Sequence, residues 1–305
     1  MLQRLAVLGA ALLLSACPNG CENNSPTGST GIEMSDGRPA GVPGWSPYVG
    51  VHTFGPDGLL APHVLNLMES GAMRGLRADM GPSSGGSDFA RWAIANGLED
   101  VVGIFPNEFL RGSGAWDALR SEILANPGVD YWEIGNEIDV FTTMSVSEYM
   151  PIFLDLHRRA REEFPEKAVI AQAPIGGGDG AKYVEQMLDQ GLLELARRGE
   201  LPVLSLHFYS TGSTYIYTMK RQIQRLPGTT EIWVTETGID DPGRHLEHVQ
   251  TQYPRLRREW RATRIYWYVF AECTGFSLVS GLPGACPATP SYSPLYQALT
   301  GKRAP

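Results

Sequence analysis

The chain has 305 residues, a formal net charge of −8 and a hydrophobic content of 43%. The acidic balance disfavours a nucleic-acid partner, because such a partner would require a basic face. The one basic cluster, at 255–258, is best interpreted as the solvent side of a helix.

The N-terminal residues have the pattern of an export signal. Arg4 precedes an apolar run over 5–14 that is too short to span a bilayer, and small residues follow it. The tetrapeptide Leu-Ser-Ala-Cys that ends at Cys17 resembles a bacterial lipobox, which predicts removal of residues 1–16 and lipidation of Cys17. An ordinary signal peptide cleaved nearby is the alternative. We therefore expect a lipid-anchored protein of the bacterial cell envelope, facing the periplasm or the cell surface.

Residues 17–43 follow as a predicted tether. They are rich in Gly, Ser, Asn, Thr and Pro, so they cannot bury enough apolar surface to offset the entropy of ordering. Residues 44–305 have the length of one large α/β barrel. We therefore expect a single domain over 44–305, acting as a monomer.

Within this domain, short β-rich runs alternate with helical patterns, as in repeated βα units with a parallel sheet. Eight strands are predicted, at 48–52, 72–80, 100–105, 130–134, 168–173, 203–208, 231–235 and 264–270. Helices are predicted at 62–70, 113–124, 146–163, 183–198 and 295–299. The count predicts a (β/α)8 TIM barrel. An open doubly wound sheet is the alternative, but the Gly-rich segment 81–86 does not match a phosphate-binding fingerprint.

Two cysteines near the C-terminus invite two interpretations. In an exported protein, Cys273 and Cys286 are expected to form a disulfide that closes the loop between them. A metal site is the competing interpretation, although neither a CxxC motif nor clustered histidines accompany these cysteines. We favour the disulfide and predict no metal.

Two glutamates each follow a predicted strand directly: Glu137 after the fourth and Glu236 after the seventh. The C-terminal ends of barrel strands surround one mouth, so these carboxylates are expected to meet there. A carboxylic acid and a carboxylate about 5–5.5 Å apart are what a retaining glycosidase requires. Three other acidic residues compete for the two roles: Glu133, Asp139 and Glu272.

The segment Glu-Ile-Gly-Asn-Glu at 133–137 resembles that of the clan A glycoside hydrolases, and most of all their arabinofuranosidase, xylosidase and heparanase-like branches. The resemblance covers 44–305 and implies a (β/α)8 barrel that hydrolyses O-glycosidic bonds of a poly- or oligosaccharide with retention. It implies that Glu137 is the general acid/base, that Glu236 is the nucleophile and that Asn136 binds the sugar 2-hydroxyl. Ile138 follows Glu137 where the common pattern has Pro.

The same resemblance implies further substrate-binding residues. His207 and Tyr209 match a His-x-Tyr after strand six, whose Tyr contacts the nucleophile, and Arg77 matches an arginine on strand two that lies close to it. Trp267 is similar to an aromatic platform for the sugar ring, although its two tyrosine neighbours make a core position an equal alternative. His52 is a further candidate for substrate binding only because it lies at the end of the first predicted strand.

No metal or organic cofactor is implied, and the expected partners are a carbohydrate and, through the lipid on Cys17, a membrane. A carbohydrate-binding lipoprotein without turnover is an alternative that the complete glutamate pair disfavours. An envelope scaffold protein is a third possibility without a specific sequence feature in its support.

Overall fold

The computed structural model describes residues 42–51, 61–81, 85–142, 144–209, 212–271, 274–280 and 291–301. The predicted signal, the lipidation site Cys17, most of the tether, His52, and the proposed disulfide partners Cys273 and Cys286 lie outside the described residues. Within the described part of the chain, no helix is both long and apolar enough to cross a membrane.

Eight parallel strands surround a common axis, and the prediction of a (β/α)8 barrel is confirmed. The strands are β1 Tyr48–Val51, β2 Gly75–Asp79, β3 Asp100–Phe105, β4 Tyr131–Ile134, β5 Ala168–Ala171, β6 Val203–Phe208, β7 Glu231–Thr237 and β8 Ala262–Trp267. They pair in the order β5-β4-β3-β2-β1-β8-β7-β6. At the seam, the hydroxyl of Ser205 on β6 donates a hydrogen bond to the carbonyl of Ala171 on β5.

Helices cover the outside of the barrel. They are α1 Ala61–Glu69, α2 Gly86–Ala95, α3 Ala115–Ala125, α4 Ile138–Phe141, α5 Val146–Glu163, α6 Gly178–Met187, α7 Leu193–Arg197, α8 Ser213–Ile223, α9 His245–Trp260 and α10 Pro294–Thr300. A short antiparallel pair, β9 Val279–Ser280 and β10 Ser291–Tyr292, precedes α10. Four of these helices, α2, α4, α8 and α9, were not predicted from the sequence.

The helix predicted over 183–198 is two helices. A π-helical turn, Leu188–Leu192, separates α6 from α7, and Gly191 within it has a φ of 142°. Glycine reaches that φ readily because it lacks a Cβ. The periodic apolar pattern continues across the turn, which explains why the sequence alone suggested one helix.

Aromatic rings close the N-terminal end of the barrel. The guanidinium of Arg264 on β8 stacks over Tyr48, Tyr131 and Trp233, with 4.1 Å to the Trp233 ring. Tyr266, two residues after Arg264 and thus on the same strand face, joins these rings. This end is therefore filled, and polar side chains are left to the opposite, C-terminal mouth.

Candidate active site

Six of the predicted site residues lie together at the C-terminal mouth, on or directly after strands β2, β4, β6 and β7. They are Arg77, Asn136, Glu137, His207, Tyr209 and Glu236. All are buried or half-buried. The parallel strands bring them together because each strand ends at the same rim.

The backbone after β4 turns sharply and presents Glu137 to the mouth. Gly135 and Glu137 both have positive φ, of 84° and 44°, and the second value is uncommon for a residue with a side chain. Asn107 holds the turn by donating to the carbonyl of Asn136 and accepting from its N–H, both at 2.8 Å. The N–H of Glu137 donates to the carbonyl of Ala173. Asn107 was not predicted as a site residue, since its position after β3 carries no motif.

Arg77 is the cation at the centre of the site. Its Nε donates to Glu133 at 2.7 Å, and its two terminal nitrogens donate to Oε1 of Glu236 at 2.6 Å and to Oδ1 of Asn136 at 2.7 Å. Burial alone would lower the pKa of Arg77, but the carboxylates of Glu133 and Glu236 outweigh it, so the pKa is raised and the side chain stays charged. Arg77 therefore links β2 to β4 and β7.

Glu133, one of the competitors for a catalytic role, lies deeper in the barrel. It is fully buried, and its second oxygen accepts a hydrogen bond from the N–H of Ala173 at 3.0 Å. Both carboxylate oxygens are thus bound within the barrel wall. Its position suits a support for Arg77 better than contact with a substrate.

Asp139, the second competitor, lies one turn beyond the strand. Its carboxylate accepts a hydrogen bond from the N–H of Ile175 at 3.2 Å. Burial first, and then the nearby carboxylate of Glu137, raise the pKa of Asp139 to about 6. Asp139 therefore ties the loop after β5 to α4. The third competitor, Glu272, lies outside the described residues.

His207 contacts both glutamates of the predicted pair. Its Nδ1 is 2.8 Å from Oε1 of Glu137 and 3.6 Å from Oε2 of Glu236. The Nε2 atom is buried and has no hydrogen-bond partner among the described residues. The short contact between His207 and Glu137 is a hydrogen bond in which either group can be the donor.

Tyr209 completes the contacts of Glu236. Its hydroxyl donates to Oε2 at 2.6 Å, while Arg77 donates to Oε1, so each oxygen of Glu236 accepts a strong hydrogen bond. Burial, followed by the carboxylates of Glu236 and Glu137, raises the pKa of Tyr209 well above its usual value. Tyr209 therefore remains a neutral donor.

The glutamate pair and His207 offer three possible metal ligands. One oxygen from each carboxylate and one ring nitrogen lie within 4.8 Å of one another. A donor set of this kind suits Zn²⁺ or a similar cation. Arg77 and Tyr209 already bind both oxygens of Glu236, so a cation there would compete with a guanidinium charge.

The structure corrects the placement of Trp267. Its ring is fully buried and packs against His245 and His248 of α9, with ring centroids 4.7 and 5.8 Å away. Because side chains alternate along a strand, the inward positions Arg264 and Tyr266 turn Trp267 outward, into the helical layer. No ring face is left on which a sugar could stack.

Aromatic rings at the mouth come from other residues. Tyr268 and Phe276 are half-buried and lie 5.9 and 5.8 Å from the Tyr209 ring, measured between centroids. Tyr268 was not predicted as a site residue; it lies on the same strand face as Arg264 and Tyr266, which point into the barrel. Phe276 carried no signal, because it lies in an irregular loop after β8.

Comparisons with known proteins fit this architecture. No family model and no curated protein sequence matches the chain. A GH30 endoxylanase from Clostridium papyrosolvens C71 superimposes with a TM-score of 0.58 at 14% identity, covering 85% of this chain and 72% of that protein. Gas2p of Saccharomyces cerevisiae, in complex with laminaritriose and laminaritetraose, superimposes with a TM-score of 0.54 at 12% identity, covering 86% of this chain. The chain spans 64% of Gas2p. At such identities the comparisons establish the shared fold.

Proposed function

We propose that this protein is a retaining glycosidase in which Glu137 is the general acid/base and Glu236 the nucleophile. The observation that carries the proposal is the proximity of the two carboxylates: one oxygen of Glu137 and one oxygen of Glu236 lie within 4.8 Å of each other at the barrel mouth. Retaining glycosidases hold their carboxyl groups about 5–5.5 Å apart, whereas inverting enzymes need about 6.5–9.5 Å to admit a water. The spacing supports direct attack by a carboxylate on the sugar.

The contacts of the two glutamates suit different roles. Arg77 and Tyr209 each donate to Glu236, and both interactions favour its charged form, which is the form that attacks. Glu137 has neither contact, and its Oε1 lies 2.8 Å from Nδ1 of His207 instead. Without a guanidinium or a tyrosine hydroxyl bound to it, Glu137 is the member of the pair that suits the role of the acid.

In the first step, Glu236 attacks the anomeric carbon while Glu137 protonates the departing glycosidic oxygen, and a glycosyl-enzyme ester forms. Glu137 is then a carboxylate. In the second step it takes a proton from water, whose oxygen attacks the same carbon and releases Glu236. Asn136, held by Arg77 and Asn107, would bind a sugar hydroxyl beside the reacting carbon in this mechanism.

Hydrolysis by the purified full chain tests this proposal. We expect reducing-sugar release from at least one neutral plant, fungal or bacterial glycan, and its loss in Glu236→Gln, which keeps the volume of the side chain but removes its charge. Glu231→Gln is the matched control, because Glu231 begins the same strand at the opposite end of the barrel. Full activity in Glu236→Gln would refute the assignment of the nucleophile.

The stereochemistry of the product tests the mechanism separately. Proton NMR during the first minutes of hydrolysis should show the anomeric configuration of the substrate retained. An inverted first product would refute the double displacement even if Glu137 and Glu236 prove essential. Saccharide binding by a folded protein that hydrolyses nothing would instead support the role in binding alone.

We also propose that the protein is a lipoprotein of the bacterial cell envelope. Support comes from the sequence around Cys17, whose apolar run, small residues and cysteine lie in register. Mass spectrometry of the mature N-terminus should find a diacylated Cys17. Cys17→Ser should release the protein from the membrane fraction, and unchanged membrane association would contradict the anchor.

A further inference from the structure

Three aromatic residues form a wall beside the candidate nucleophile. Tyr209, Tyr268 and Phe276, here called the aromatic wall, meet pairwise edge to face, with centroid distances of 5.9, 5.8 and 5.7 Å. Edge-to-face pairs are a favourable geometry for aromatic rings. Since the Tyr209 hydroxyl donates to Glu236, the wall begins at the carboxylate that is proposed to attack the sugar.

Hydrogen bonds from two buried side chains hold the loop that carries Phe276. The indole N–H of Trp267 donates to the carbonyl of Phe276 at 2.9 Å, and Nε2 of His245 donates to the carbonyl of Gly275 at 2.7 Å. Gly238, two residues after Glu236, lets the loop approach, since a Cβ there would lie 3.0 Å from the Phe276 ring. Phe276 is therefore a fixed part of the mouth, and Trp267 supports it from the helical layer.

The wall presents the surfaces of aromatic rings, and the cation that binds Glu236 already has several other acceptors. Arg77 already donates to Glu133, Glu236 and Asn136. On the described loops at the mouth, Arg111 donates to the carbonyl of Thr142, and Arg244 pairs with Glu247. The undescribed segments within the barrel, 52–60, 82–84, 143, 210–211, 272–273 and 281–290, contain neither lysine nor arginine.

A negatively charged sugar beside Glu236 would therefore lose water next to a carboxylate whose cation, Arg77, already has three acceptors, which is costly. A neutral sugar presents C–H groups that an aromatic ring can cover. We propose that Phe276 is a specificity-determining residue and that the aromatic wall selects a neutral sugar unit beside Glu236, excluding uronic acids and sulfated sugars. This inference rests on the proposed function for the identity of the ligand.

Direct binding keeps the test independent of turnover. Calorimetry with the full chain carrying Glu236→Gln would compare xylotriose, laminaritriose and arabinotriose with trigalacturonate. We expect at least one neutral trisaccharide to bind, and trigalacturonate to bind at least tenfold more weakly. Adding Phe276→Ala should weaken binding of the neutral ligand about tenfold or more, whereas Phe276→Tyr should stay within threefold.

Two further variants separate recognition from folding. Phe276→Leu keeps much of the apolar volume but removes the ring face, so it decides the matter if Phe276→Ala does not fold. Tyr217→Ala removes an exposed aromatic ring on α8, outside the wall, and should leave binding unchanged.

Unchanged affinity in both Phe276→Ala and Phe276→Leu would overturn the inference. So would equal binding of acidic and neutral trisaccharides, or no binding of any neutral one. Phe276-dependent binding by a wild-type protein that hydrolyses nothing would instead refute the proposed turnover and leave this inference standing.

Discussion

The guanidinium of Arg77 and the carboxylate of Glu236 lie 2.6 Å apart, although 159 residues separate them in the chain. Both side chains are almost completely removed from solvent. The contact joins β2 to β7, and the bond from Arg77 to Glu133 extends it to β4. One cation thus compensates two buried carboxylates, which makes the barrel mouth depend on a single side chain.

Arg77→Met should therefore destabilise the fold. Removing one partner from a buried ion pair leaves an uncompensated charge and costs about 3–5 kcal/mol. Arg74→Met is the matched control directly before the same strand, because the Arg74–Glu99 pair is exposed and contributes about 0–1 kcal/mol. Urea unfolding at pH 7 measures both variants, and equal losses would contradict the central role of Arg77.

Tyr209→Phe should lower activity without unfolding the protein. A hydrogen bond to a charged group contributes about 1.5–3 kcal/mol, so kcat/KM is expected to fall roughly 10- to 150-fold. The acidic limb of the pH–rate profile should move to higher pH, because Glu236 loses a donor that favours its charged form. Tyr217→Phe, at an exposed ring, serves as the control. An unmoved acidic limb would show that the hydroxyl does not stabilise the Glu236 carboxylate.

The contrast between Tyr209 and Trp267 explains what the sequence could predict. Residues at strand ends were found because chain order and the parallel barrel determine which rim they reach. It was harder to predict which side chains of β8 point into the barrel. Three consecutive aromatics, Tyr266, Trp267 and Tyr268, lie at and directly after the end of this strand, and alternation allows either Trp267 or its two neighbours to point inward. The contacts of Arg264 with Tyr48, Tyr131 and Trp233 show that Arg264 points into the barrel, so Trp267 must point outward. Asn107 and Phe276 lie in irregular segments, where only tertiary contacts identify them.

Buried histidines behind the mouth should make stability depend on pH. Burial, and then the neighbouring His245 and Arg244, lower the pKa of His248 from 6.5 to about 4. Between these two values the unfolded chain binds a proton that the folded protein does not bind, so stability falls as pH falls from 6.5 to 4. At 1.36 kcal/mol per pKa unit, the loss reaches about 3 kcal/mol at pH 4 and is absent above pH 6.5.

His248→Gln isolates this contribution, because glutamine does not titrate. The variant is expected to lose about 1 kcal/mol at pH 7 with the bond between His248 and Thr237, yet to be less sensitive to acid than the wild type. Urea unfolding at pH 7.5, 5.5 and 4.5 gives both curves. Parallel curves would show that His248 titrates normally in the folded protein.

Gly238→Ala tests the close approach of the loop after β7 to the aromatic wall. A Cβ at Gly238 would lie 2.5 Å from the carbonyl oxygen of Tyr268 and 3.0 Å from the ring of Phe276, so the backbone of Tyr268 would have to move. Overpacking of this kind typically costs about 1–3 kcal/mol. Because the displaced residues form the wall, weaker saccharide binding should accompany the loss of stability.

Gly114→Ala provides the control, since a Cβ at Gly114 meets nothing within 4 Å. That variant is expected to stay within about 0.5 kcal/mol of the wild type and to bind saccharides unchanged. Urea unfolding and calorimetry of both variants check the pair. Weaker binding by Gly238→Ala at unchanged stability would mean that the aromatic wall shifts without strain. If neither stability nor binding changes, the loop accommodates the methyl group, and the approach of Phe276 to β7 is not fixed.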